Sequence, residues 1–479
     1  MKQTNKNASR LLEYLKSIYG NRVLSGQEFT SIGYIEPIVI YRETGKLPAL
    51  MGFDMQGMEE DPNRDTPVRA AIDWFCNAKG IVTFCWHWVV PRDMRDRSKG
   101  GASHTYNNIQ KWGTTFDASR AVTPGTEEHD LILKHIDAIA LQLKKLEDAG
   151  VPVLWRPLHE ASGGWFWWGA KGIDAYRALW NILYERLEVH HGLTNLIWVW
   201  NGQHRDWLVD ESQYDIAGMD SYPNTDKQSA RAKVFYEMSG YTNKPLALTE
   251  CGGIPDIENM LSENSLWLWW MTWYTDFVYK SVNGRIVVNE EHTPASQLRK
   301  NYSSQYVVTL EDLTIFCDNG TRQLPKPILD YMESGRIMGE NPRWENQSLL
   351  LEFENSKIVG SQIRCGNTRR YSGFGCILYR GINNGIAESA MFEFDAPKSG
   401  EYTAEIQYIG EYGEKRNTLY VNDMPIPLVF PGTSDGLNPS TVTVDIRLKE
   451  GPNTLGFKYT PGDDGWVFLD CIKLKLNSI

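Results

Sequence analysis

The chain has 479 residues, 42% hydrophobic and 23% charged, a length that suits two domains better than one. Its 49 basic and 60 acidic residues leave a net charge of −11, which excludes the basic surface that a nucleic-acid partner needs. No run approaches the roughly eighteen apolar residues of a membrane span, and seven Cys at irregular spacing form neither a CxxC pair nor a disulfide framework.

The opening stretch MKQTNKNASRLLEYL lacks the apolar segment of a signal peptide. From there to about residue 340, short apolar runs alternate with amphipathic stretches. Strands are expected at Arg22–Ser25, Pro48–Asp54, Gly80–His87, Pro152–His159, Asn195–Asn201, Tyr214–Tyr222, Lys244–Glu250 and Leu266–Thr272. Helices are expected at Glu127–Ala149 and Ile173–His191. In the first of these, Leu131, Ile132, His135, Ile136, Ile139, Leu143 and Leu146 form a stripe at helical spacing. Eight alternations predict an α/β fold, a (β/α)8 TIM barrel over residues 1–340, with Trp88–Pro124 and Tyr274–Arg322 as long loops on its C-terminal rim. Residues 341–348 read as a linker. Residues 349–479 then alternate in short strands with turn signals, as in GEYTAEIQYIG and STVTVDIRL, which predicts an antiparallel β-sandwich.

In a TIM barrel, polar residues at strand C-terminal ends carry the chemistry. Here they are His87, Arg156, His159, Glu160, Asn201, Asp220, Tyr222 and Glu250. Glu160 and Glu250 end the fourth and seventh strands, which face each other across a barrel mouth. Two opposed carboxyls are what glycoside hydrolysis requires, one to protonate the leaving oxygen and one to attack the anomeric carbon. Eighteen Trp, many in short clusters, add stacking surfaces for pyranose rings and point to a carbohydrate cleft. His159–Glu160 is not a zinc motif, because Gly163 stands where HExxH has its second His. His190 and His191, adjacent on a helical pattern, point in different directions and read as surface residues.

WRPLHEASGGWFWWG, LTE, GMDSYP, WHW and LLEYLKSIYGNRVLSGQ resemble the family 26 β-mannanases, over roughly residues 8–335. The resemblance implies a retaining hydrolase of β-1,4-mannosidic linkages in mannan, glucomannan or galactomannan. A β-1,3-xylanase, a mixed-linkage β-glucanase and a non-catalytic glycan-binding protein are the alternatives. Glu160 would be the acid/base and Glu250 the nucleophile, with Arg156 and Tyr222 keeping Glu250 ionised. His87, His159, Trp165, Asn201 and Trp273 would complete the substrate site. HEASG replaces the HEMNG that the family often carries.

LEFEN, YSGFG, YVND and GWVFLDCIKL resemble carbohydrate-binding modules of family 35 or the related family 6. That implies a structural calcium on Glu352, Glu354 and Asp470 and a ligand site drawing on Trp466, Tyr371, Tyr379 and Asn422. Catalysis would need no cofactor. The expected partner is β-mannan or its oligosaccharides, and the expected state is a monomer. The expected location is secreted or cell-surface with the signal peptide absent from this sequence, the cytoplasm being the alternative.

Overall fold

A computed structural model describes residues 4–29, 34–91, 116–274, 276–282, 285–316, 321–335, 337, 344–360, 362–364, 376–383, 385–411, 413–433 and 439–477. Eight parallel strands close into a barrel: β1 (Gly26–Glu28), β2 (Leu50–Asp54), β3 (Ile81–Cys85), β4 (Val153–Arg156), β5 (Leu196–Trp200), β6 (Ile216–Ser221), β7 (Leu246–Cys251) and β8 (Trp270–Thr272). Gln27 of β1 pairs with Met51 of β2 and Thr272 of β8, which shuts the ring. Runs such as IVTFC and LIWVW are buried along their whole length, because the barrel interior covers one face and helices cover the other.

Helix Glu127–Asp148 shows how local sequence sets these covering elements. The Thr126 side chain accepts from the His129 N–H, and three acids in the first turn oppose the helix dipole. One face then buries Ile132, Ile136, Ile139, Leu143 and Leu146. The predicted helix at Ile173 is α-helical only to Tyr184 and ends in a π-turn, Glu185–His190. That turn brings the His190 and His191 rings edge to face at 4.8 Å, contrary to the divergence expected of neighbours. His191 Nε2 also meets Asp137 Oδ1 at 2.7 Å, on a carboxylate that Arg186 grips through both oxygens.

Three boundaries differ from expectation. Val23 and Leu24 lie outside the ring and pair in parallel with Val307 and Val308, so β1 begins at Gly26. The fourth strand stops at Arg156, before Pro157, which lacks the N–H a ladder needs. The segment Tyr274–Arg322 is not a rim loop throughout. It contains helix Ala295–Ser303, and its later part returns to the N-terminal ends of β1 and β2, where Thr309 bridges Pro48. Of Trp88–Pro124, residues 92–115 lie outside the described residues, and Ala118–Ala121 is helical.

The tryptophan clusters correct a second expectation. Among the described residues twelve Trp are fully buried, including Trp86, Trp88, Trp167, Trp168, Trp267, Trp269 and Trp270. Trp86 and Trp88 stack on each other at 4.0 Å, and Trp167 meets Trp88 edge-on. These rings fill the wall of the barrel unit and are closed to a ligand.

The chain divides into two compact units, the second drawn mainly from the residues after Leu329. The second unit is an antiparallel sandwich. One sheet contains Ser348–Glu352, Val467–Leu476, Cys376–Tyr379 and Gln362–Arg364, with Gly400–Ile409 and Ser440–Leu448 joined to it. The other runs Lys357–Val359, Ser389–Ala396, Gly451–Lys458, Lys415–Val421, Met424–Phe430. Alternation in SAMFEFDA buries Ala390, Phe392 and Phe394 against Phe353, Phe430 and Phe457. Trp344 and Glu345, expected in the linker, pair with Leu349 and Ser348 and so belong to the sandwich.

Candidate active site

The site sits at the C-terminal ends of the barrel strands. Arg156, the last residue of β4, reaches across the interior to two carboxylates. Its Nη1 donates to Asp220 Oδ2 at 2.8 Å, and its Nη2 donates to Glu250 Oε1. The Tyr222 hydroxyl donates to the other Glu250 oxygen at 2.6 Å. Glu250, second from the end of β7, therefore has both oxygens engaged, one of them in a charge-assisted bond.

Glu160 lies four residues beyond the end of β4, not on the strand. Its backbone is left-handed at φ 54°, as is that of Leu158 at φ 51°, a geometry worth about 1–3 kcal/mol of strain per residue. Asn201 supports it: the Glu160 N–H donates to the Asn201 carbonyl at 2.8 Å. The Asn201 amide is otherwise spent on Asp220 Oδ1 and Thr249. Asn201 is fully buried and so positions the turn without presenting itself to a sugar.

The two glutamates have unequal surroundings. Burial and then the Glu250 charge raise the pKa of Glu160 above that of an ordinary carboxyl. The Trp165 indole works against that rise, donating Nε1–H to Glu160 Oε2 at 2.8 Å. Room for this contact comes from Gly163, where an added Cβ would lie 2.0 Å from the Trp165 ring. One carboxylate oxygen each of Glu160, Asp220 and Glu250 lies within 4.8 Å of the others. Retaining enzymes hold their two carboxyls about 5–5.5 Å apart and inverting ones about 6.5–9.5 Å, and so close an approach of single oxygens is compatible with the shorter separation.

Beside the pair runs a second polar line. Asp54 at the end of β2 accepts from the His87 backbone N–H at 3.0 Å and faces Nδ1 of its ring at 2.7 Å. Burial opposes a charge on His87, but the Asp54 carboxylate outweighs it and holds the imidazole more basic than usual. His87 Nε2 lies 3.2 Å from His159 Nε2. With His87 protonated, Nε2–H donates and His159 accepts, which places the His159 proton on Nδ1. His159 is fully buried, and its carbonyl accepts from the Trp168 indole. Trp273 packs edge-on to His87 at 5.7 Å, and Trp165 is 38% exposed.

Sequence reasoning placed Asp220 at a strand end without a role, and it missed Asp54 and Thr249. Asp220 is the hub that ties Arg156, Asn201 and Thr249 together. Only the strand register reveals such links, because Asp54 lies opposite Cys85, and Cys85 opposite Arg156.

On the sandwich, Trp466 is 44% exposed with Arg380 over its ring at 5.8 Å. Tyr379 is not available to a ligand: it is fully buried and packs on Phe457 in the core. Asn422 occupies the turn after Lys415–Val421, its amide engaged by Asn453 and Thr454. The Trp466 loop contacts the other end of that strand, through Asp464 to Arg416 and Gly465 to Asn417. Trp466 and Asn422 are thus not brought together, and Tyr371 lies outside the described residues. Asp470 is fully buried, one residue from the Cys471 that pairs with Glu352, where a register shift makes Asp470 the extra residue of its strand. The Glu354 side chain lies outside the described set.

A (β/α)8 barrel carrying a carboxyl of raised pKa opposite one braced by an arginine and a tyrosine has the architecture of a glycoside hydrolase. The chain belongs to glycosyl hydrolase family 26, whose sequence model matches residues 1–295, and the model of carbohydrate-binding module family 35 matches residues 351–477. A mannan endo-1,4-β-mannosidase of Thermothelomyces thermophilus is 37% identical over 316 residues, covering 64% of this chain and 61% of the relative. Mannan endo-1,4-β-mannosidase B of Piromyces sp is 35% identical over 320 residues, covering 64% and 52%. The chain thus spans between about half and three fifths of the length of these relatives. The crystal structure of the Podospora anserina GH26-CBM35 β-(1,4)-mannanase is similar with a TM-score of 0.56 and 38% identity, over 64% of this chain and 67% of that one. A β-mannanase from a symbiotic protist of the termite Reticulitermes speratus, complexed with gluco-manno-oligosaccharide, gives a TM-score of 0.57 at 30% identity, over 65% and 96%.

Proposed function

We propose that this protein hydrolyses β-1,4-mannosidic linkages in mannan, glucomannan or galactomannan with retention of configuration. The observation that carries the reading is the close pair of unequal glutamates, Glu160 and Glu250, within 4.8 Å. Glu160 gives its proton to the glycosidic oxygen as Glu250 Oε attacks the anomeric carbon; the leaving chain departs as an alcohol and a glycosyl ester forms on Glu250. Ester formation removes the Glu250 charge, which lowers the proton affinity of Glu160 and readies it as a base. Glu160 then takes a proton from water, whose oxygen displaces Glu250 and restores the resting pair. Arg156 and Tyr222 hold Glu250 in line, and His87, Trp165 and Trp273 present the surfaces nearest the reacting sugar.

No step calls for a cofactor. Calcium, if bound, would be a structural ion held by Glu352, Glu354 and Asp470 of the sandwich, an oxygen donor set that suits it. Trp466 supports glycan binding by that unit, and a module for polymeric glycan favours an extracellular location. No helix among the described residues is long and apolar enough to cross a membrane.

Reducing-sugar release from glucomannan, xylan and lichenan tests the substrate: release from glucomannan alone is expected, and release from xylan alone overturns it. Glu160→Ala and Glu250→Ala are each expected to lower kcat by several orders of magnitude while polymer binding persists; full activity in either removes that residue from the mechanism.

A further inference from the structure

A third glutamate stands inside the barrel mouth. Glu28 ends β1 and is 2% exposed. It pairs in register with Gly52 of β2, and its carboxyl lies over that residue. A Cβ added at Gly52 would fall 1.8 Å from Glu28 Oε2 and 2.8 Å from Cδ, with Met271 Sδ at 3.1 Å. Gly52 therefore leaves the space that the carboxyl fills. Glu28 Oε1 is buried and has no hydrogen-bond partner among the described residues.

The charged and titratable groups that act on this carboxyl come from several strands. They are Asp54 on β2, Arg156 on β4, Asp220 on β6 and Glu250 on β7, while Cys85 on β3 and Tyr274 beyond β8 sense its charge in turn. Asp54 is itself paired with His87. Arg156, the cation acting on Glu28, is already committed to Asp220 and Glu250. A buried carboxylate without a bonded counter-charge is costly, whereas the neutral acid is not. Burial and the Glu250 and Asp54 charges push Glu28 in the same direction, far above the ordinary range.

We propose that Glu28 is a positioning residue for the nucleophile: an un-ionised carboxylic acid that fills the space over Gly52 and leaves Arg156 wholly to Glu250 and Asp220. An ionised Glu28 would draw the guanidinium toward β1 and add a further negative charge below the reacting sugar. The inference rests on Glu250 being the nucleophile.

The test measures kcat, KM and the pH profile on the polymer that the wild type cleaves, with Glu250→Ala as control. Glu28→Ala leaves a hole over Gly52 and is expected to lower kcat about tenfold or more with KM changed less than about twofold. Glu28→Gln, neutral and of the same shape, is expected to recover most of that rate with the alkaline limb where the wild type has it. The alkaline limb follows loss of the Glu160 proton. Were Glu28 ionised in the working enzyme, Glu28→Gln would remove a charge that props Glu160 up and move that limb to lower pH; this shift overturns the proposal. Full kcat in Glu28→Ala also overturns it. Should Glu28→Ala fail to fold, the infrared difference between wild type and Glu28→Gln at neutral pH decides: loss of a protonated-carboxyl carbonyl band supports the proposal, and loss of a carboxylate band refutes it. Activity in Glu250→Ala would instead overturn the reading of the nucleophile.

Discussion

Glu160 shows how little separates an acid from a bystander. Among the described residues its carboxyl accepts from the Trp165 indole, and that bond stabilises the ionised form. Trp165→Phe removes the donor and is expected to raise the proton affinity of Glu160, moving the alkaline limb of kcat to higher pH. A limb that stays put or moves down would show that the bond does not act in the working enzyme. Gly163→Ala tests the same contact from the backbone, since its Cβ would displace the indole; a fall in kcat of about tenfold is expected from the lost orientation. That Glu160 and Glu250 would face the same barrel mouth was legible because strand ends in a TIM barrel recur at regular spacing, though Glu160 proves to lie in a turn beyond its strand. Asp54 and Thr249 were not, because their meaning lies in which strand lies beside which.

At the scale of elements, the β3 end depends on another buried acid. Glu59, in the turn after β2, accepts the Val89 N–H at 2.8 Å and is 7% exposed. Burial raises its pKa from 4.5 to about 7. Because the folded value is the higher, the protonated form favours the fold: that contribution is complete below about pH 4.5 and is lost as pH rises through about 7. The shift of about 2.5 units corresponds to roughly 3 kcal/mol, so Glu59→Gln should flatten the decline in unfolding free energy between about pH 5 and pH 8 by up to that amount. Parallel declines in variant and wild type would show that Glu59 keeps no proton in the fold. Seven of the eight barrel strands could be read from apolar runs, though not their limits, and the first could not be read at all. Arg22–Ser25 is the more apolar segment, yet Val23 and Leu24 pair with Val307 and Val308 outside the ring, while the polar Gly26–Glu28 forms β1. Likewise the polar-looking segment after β8 hides helix Ala295–Ser303, whose buried Leu298 and Tyr302 are too few to advertise it.

For the whole molecule, the division into a barrel and a sandwich followed from the change of period in the sequence, from helix-spaced stripes to strict alternation. The contents of each surface were harder to read, since Trp and Tyr serve equally as core and as platform. Tyr379 and Trp466 illustrate this, one sealed in the sandwich core and the other standing out from a loop. Trp466→Ala is therefore expected to weaken retention on insoluble mannan while leaving kcat on soluble oligosaccharide unchanged; undiminished retention would assign adsorption to another surface. The burial of twelve Trp also gives the protein a distinctive optical behaviour. Most of its indole emission should be blue-shifted and shielded from aqueous quenchers, a bright and nearly constant background. Against it, a small red-edge component from Trp165 and Trp466 should respond to iodide and to oligosaccharide, so that selective excitation at the red edge reads the two exposed surfaces without any attached dye.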